Sequence, residues 1–102
     1  MITKMNFKLI FSNKAAERYT QLKSDPSMKR ILKDIQKTLA YMETNLRHPS
    51  LNTHEYYSLK GPNGEKIFES YAQQYTPGAY RIFWLYGPSK AELTIIAMVP
   101  HP

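Results

Sequence analysis

A stripe of seven apolar residues constrains this chain more than anything else in it: Met28, Ile31, Leu32, Ile35, Leu39, Met42 and Leu46 recur at spacings of three and four. That period puts all seven on one face of a helix and sends Lys29, Arg30, Lys33 and Lys37 largely to the other. A helix with one apolar face must bury it against a second layer. Asp25 followed by Pro26 is a cap and first-turn pair that begins the helix, and Arg47, His48 and Pro49 end it. Upstream, Met5 to Phe11 alternates as a first strand. Ser12 or Asn13 then caps a shorter helix through about Lys23, with Ala16, Tyr19 and Leu22 at helical spacing.

The second layer comes from the rest of the chain. Turn signals at "GPNG", "YTPG" and "YGPSK" separate four strand-like runs, Tyr56 to Lys60, Glu65 to Gln73, Ala79 to Tyr86 and Glu92 to Val99. The expected architecture is α+β: an N-terminal strand, two helices, then a four-stranded antiparallel meander, with the helices packed on one sheet face. Residues 1–102 read as a single domain, without repeats, low-complexity tracts or linkers. Hydrophobic residues make up 42% of the chain, which argues against disorder. No apolar run approaches the roughly 20 residues that span a bilayer. The N-terminal apolar stretch is interrupted by Lys and Asn, unlike a signal peptide. With no cysteine, there is neither a disulfide framework nor a thiolate metal site, and a reducing cytoplasm is the expected compartment.

Charge is unevenly spread. The formal net charge is +6, and residues 1–50 carry ten Lys/Arg against four Asp/Glu, while residues 51–102 carry four of each. Such asymmetry points to a polyanionic partner, nucleic acid or an acidic protein segment; a solvated helix face kept for solubility is the plain alternative. Against that background Arg81, in "YRIFWLYG", is conspicuous: a planar, permanently charged fork within an apolar strand. It either snorkels from a strand edge or binds an anion such as phosphate. His101, held between two prolines directly after the last strand, is suited to proton transfer. Lys60, in "YYSLKG", reads by default as a solvated lysine. His48 and His54 stand too far apart, without carboxylate or cysteine partners, to suggest a metal site. Glu55 and Glu69 are possible bases. Tyr56, Tyr57, Tyr71, Tyr75, Tyr80 and Tyr86 crowd the second half, and any left exposed can stack a nucleobase.

Taken in order, "HPSLNTHEYYSLKG", "PGAYRIFWLYG" and a last strand ending "PHP", behind a basic strand–helix–helix start, resemble the RelE/ParE toxin superfamily of bacterial toxin–antitoxin systems over nearly the whole chain. The resemblance implies a compact α+β fold and one of two activities. RelE-like members cut messenger RNA on the ribosome as metal-independent endoribonucleases, halting translation and growth; ParE-like members inhibit DNA gyrase. An inactive toxin-fold interaction module is a third outcome. In the ribonucleases the strand arginine contacts the scissile phosphate, which falls on Arg81, and a polar group after the last strand falls on His101. Lys60, His54 and Glu55 are substitutes for upstream catalytic or RNA-contacting positions, and Lys33 and Lys37 belong to the basic helix that would meet RNA. The sequence departs from the pattern at Ala72, Gln73 and Gln74, where some relatives are basic. The implied partners are a cognate antitoxin, the ribosome and mRNA, or gyrase on the alternative reading, with no cofactor, metal or membrane.

Overall fold

The computed structural model describes residues 6–101, so Met5 of the expected first strand lies outside the described residues. Strand β1 (Lys8–Phe11) ends at Ser12, whose hydroxyl accepts the Ala15 amide at 3.1 Å and caps helix α1 (Asn13–Ser24). Asp25 then opens a short 3-10 turn, Pro26–Met28, which runs into helix α2 (Lys29–Thr44). The Ser27 hydroxyl and amide both donate to the Asp25 carboxylate and hold its pKa below the ordinary value. Helix α2 stops at Thr44, before the Arg47–His48–Pro49 breaker. Asn45 leaves helical backbone at φ −155°, its side chain being one that competes with the helix for hydrogen bonds. Leu46, beyond the last turn, still packs against the core, and His48 stacks on Tyr41 with centroids 4.0 Å apart.

A second 3-10 turn, Pro49–Leu51, leads into β2 (His54–Lys60), β3 (Lys66–Tyr71), β4 (Tyr80–Tyr86) and β5 (Glu92–Pro100). The sheet order is β1-β5-β4-β3-β2. Strands β2 to β5 pair antiparallel in succession, but β1 joins the far edge parallel to β5, with Lys8 opposite Glu92 and Phe11 opposite Ile95. The sheet is therefore five-stranded and mixed: the expected antiparallel run of four strands is β2 to β5, and the N-terminal strand joins it in parallel, which the expected meander did not include. β1 covers the edge of β5 that β4 leaves free, and the long crossover that a parallel pair requires is supplied by everything between them.

Both helices cover one face of this sheet. Leu22 of α1 and Ile35, Leu39 and Met42 of α2 close on Ile82, Trp84, Leu93, Ile95 and Met98. Opposite β4, Phe83 faces Ala97 but Trp84 faces Ile95, so Ile96 is the extra residue of a β-bulge. The bulge turns both Ile95 and Met98 toward the helices although they are three residues apart. Among the described residues no helix is long and apolar enough to cross a membrane.

One polar contact is sealed within this core. The indole Nε1–H of fully buried Trp84 donates to Ser70 Oγ at 2.9 Å, and Ser70 Oγ also lies 2.8 Å from Thr53 Oγ1. Ser70→Ala is expected to strand the indole donor and lower stability by about 1–3 kcal/mol. Urea denaturation with an unchanged m-value checks this; a loss near zero means the indole finds another acceptor.

Candidate active site

The alternation of β4 sends Tyr80, Ile82 and Trp84 into the core and leaves Arg81 and Phe83 on the opposite face, where no helix among the described residues packs. Register completes the set: Tyr71 lies opposite Arg81, Glu69 opposite Phe83, and His54 opposite Glu69. Side chains from three neighbouring strands thus converge on one face.

Arg81 is only 8% exposed. Its Nη1 donates to the Gln73 carbonyl at 2.7 Å, with longer contacts to the Tyr80 and Ala79 carbonyls at 3.4 and 3.5 Å. The guanidinium lies 3.7 Å from the Tyr71 ring centroid, a cation–π contact strengthened by burial. Its Nε, however, is buried without a hydrogen-bond partner. The nearest carboxylate oxygen, Glu69 Oε2, stands 3.9 Å away, an ion pair but beyond hydrogen-bonding reach. At that separation the attraction is worth about 4 kcal/mol at an effective dielectric near 20, enough to offset much of the cost of burying the cation.

The other Glu69 oxygen is 2.7 Å from His54 Nε2, while His54 Nδ1 is 2.9 Å from the Asn52 carbonyl. His54 is thus held between the Asn52 carbonyl and the Glu69 carboxylate, and Glu69 lies between His54 and Arg81.

Glu69 and Arg81 form the floor of a cleft of about 460 Å³, with His54 behind Glu69. Lys14, Tyr56, Leu59, Phe83, Ile96, Ala97, Val99, Pro100 and His101 complete its walls. Tyr56 and Phe83 meet edge to face at 4.9 Å. His101 is exposed, yet its backbone amide donates to the Ala79 carbonyl at 2.8 Å, so the residue after β5 is tied to the start of β4. The site thus offers a buried cation with an unused donor, a carboxylate beside it and an imidazole at the rim.

No protein-family model matches this chain, and no curated protein matches it in sequence. Two solved structures do match in backbone. The YoeB/ParE toxin from Agrobacterium tumefaciens superposes with a TM-score of 0.62, covering 94% of this chain and 100% of that one at 15% identity. The YoeB dimer from Staphylococcus aureus gives 0.61, covering 95% and 99% at 16% identity. The backbone fold of this chain is the one these two toxin structures share.

Within this fold the structure brings Arg81 and His101 to one cleft and adds Glu69, which the sequence marks only as a possible base. Lys60 does not line it. Its Nζ lies 3.5 Å from Glu55 Oε2, and Glu55 also faces Lys66 at 3.8 Å. Glu55 sits opposite Phe68, on the side of the sheet that the helices cover, so these three charges are separated from Arg81. His54 reaches the site through Glu69. Lys33 and Lys37 are exposed on α2, and Lys37 borders a second cavity that also includes Tyr71. Lys14 and the Tyr71 ring were not marked as site residues by the sequence: both owe their place to strand register and to the docking of α1, which residue type does not announce.

Removing the carboxylate should expose the cost of burying the arginine. Glu69→Leu is expected to destabilise the fold by about 3–5 kcal/mol, and Arg81→Leu in the same chain to recover part of the loss. Urea titrations of the two single variants and the double variant measure the coupling; strictly additive losses would show that the two side chains do not interact.

Proposed function

We propose that this chain is the toxin of a type II toxin–antitoxin system and acts as a metal-independent endoribonuclease on ribosome-bound mRNA. The observation that carries this reading is the buried Nε of Arg81, a charge-bearing donor without a partner at the floor of an open cleft. An orphan of this kind costs free energy in the free protein and is satisfied by an anion entering the cleft. A phosphodiester fits, since guanidinium recognises phosphate oxygens directly.

The remaining groups match the needs of RNA cleavage by its own 2′-hydroxyl. That reaction requires an aligned nucleophile, stabilisation of charge on the phosphorane and two proton transfers. Arg81 holds the phosphate. Glu69, with one oxygen fixed by His54, takes the proton of the attacking hydroxyl as the P–O bond forms. His101 gives a proton to the departing 5′-oxygen, leaving a cyclic phosphate. The basic N-terminal half faces the ribosome, and the largely apolar cleft walls, Tyr56, Leu59, Phe83, Ile96 and Val99, suit an antitoxin segment that blocks the site. The cytoplasm is the compartment in which mRNA, ribosome and antitoxin meet.

A ParE-like inhibitor of DNA gyrase is the second reading. The uncharged run Ala72, Gln73 and Gln74 favours it, because a polyanion-cutting site gains from cations there. A toxin-fold module without activity is the third.

Primer extension on mRNA from cells briefly expressing the chain separates the three. Discrete cuts within translated regions are expected for the wild type, reduced at least 100-fold for Arg81→Ala and His101→Ala while circular dichroism shows both folded. Arrest without cuts, accompanied by DNA-damage signalling, would move the assignment to gyrase. Neither arrest nor cuts would leave the inactive module.

A further inference from the structure

The connection between β3 and β4 is fastened at several points and yet holds one large side chain entirely in solvent. Gln73 Nε2 donates to Asp34 Oδ2 of α2 at 3.0 Å, Gln73 Oε1 accepts the Tyr80 amide at 3.1 Å, and Gln74 Nε2 donates to the Ser50 carbonyl at 3.1 Å. Directly after these anchors, Tyr75 is 99% exposed and adopts φ +63°, a left-handed conformation that disfavours a bulky residue. Exposed aromatic rings on fixed, strained backbone mark working positions more often than packing ones. Tyr57, at 78% exposure, is the other strongly exposed tyrosine, but it borders none of the cavities described here.

Tyr75 stands at the edge of a polar cavity of about 570 Å³ between the connection and α2, lined also by Arg30, Lys37, Tyr41 and Ser50. Asp34 in its wall is answered by Arg30 at 3.7 Å and by Gln73. The cavity adjoins the Arg81 cleft: Tyr71 lines it while carrying the Arg81 guanidinium on its ring, and the Gln73 carbonyl, in the same wall, holds Arg81 Nη1.

We propose that this cavity is a nucleotide subsite for single-stranded RNA, in which Tyr75 stacks the base next to the nucleotide held at Arg81 while Arg30 and Lys37 take its phosphate. The inference rests on the ribonuclease reading only for the identity of the neighbouring nucleotide. A free aromatic face beside two cations fits a base with its phosphate. An acidic peptide would use the cations but leave the ring idle.

The test is anisotropy of a fluorescein-labelled, 2′-O-methylated hexanucleotide, which cannot be cleaved by its own 2′-hydroxyl, titrated with the full chain at low salt. Tyr75→Gly relieves the left-handed backbone and so preserves the fold. It is expected to weaken binding 5- to 100-fold, with Tyr75→Phe retaining wild-type affinity. Arg30→Ala and Lys37→Ala should each make the salt dependence shallower by about one counter-ion. Unchanged affinity in folded Tyr75→Gly overturns the proposal, as does Tyr75-dependent binding of a glutamate-rich peptide with none of the hexanucleotide. If mRNA is never cut in cells but the hexanucleotide still depends on Tyr75, the ribonuclease reading fails and the subsite stands. If mRNA is cut and the hexanucleotide ignores Tyr75, the subsite alone fails.

Discussion

A guanidinium kept out of water is the constraint around which the open face of this protein is arranged. Arg81 gives up most of its hydration and receives in return three backbone carbonyls, an aromatic face and a carboxylate at ion-pair distance. These five come from four places: the β3–β4 connection, which supplies the Gln73 and Ala79 carbonyls, β4 itself, the end of β3 and its middle. Sheet register and the course of that connection therefore have to be right before the cation can be accommodated. The compensation stops one hydrogen bond short, at Nε. That unused donor is the feature on which the proposed anion site rests.

The opposite face makes this possible. Trp84, Ile82, Leu93, Ile95 and Met98 lie against the two helices with no exposed surface, so stability comes from one side of the sheet and chemistry is left to the other. The bulge at Ile96 links the two. By shifting the alternation of β5 it returns Met98 to the core and turns Ile96 and Ala97 into walls of the cleft. The β5 backbone then continues to His101, whose amide closes on Ala79. A structural irregularity in a strand thus sets where His101 stands.

Much of this was legible in the sequence because it depends on periodicity. The α2 stripe, the Ser12 and Asp25 caps and the three turn signals gave the elements to within a few residues, and the lone cation in β4 pointed to Arg81. What was not legible depends on partners distant along the chain. Whether Arg81 faced helices or solvent followed from which of two equally apolar alternations met α2. The pairing of Glu69 with His54 is a matter of cross-strand register, and the capture of Lys60 by Glu55 follows from their sharing the other side of the sheet. The parallel docking of β1 was hidden for the same reason: no local signal says that a first strand will pair with a last one.

That docking has a consequence for how the protein comes into being. Lys8 pairs with Glu92 and Phe11 with Ile95, so the sheet cannot close at that edge until β5 has been synthesised. Contacts of such sequence separation form late and slowly, because the intervening chain must first be ordered. The strands bearing Arg81 and the attachment of His101 belong to the same late-formed half. While the chain is still emerging from a ribosome, its helices can form but its cleft, walled in part by β5, cannot.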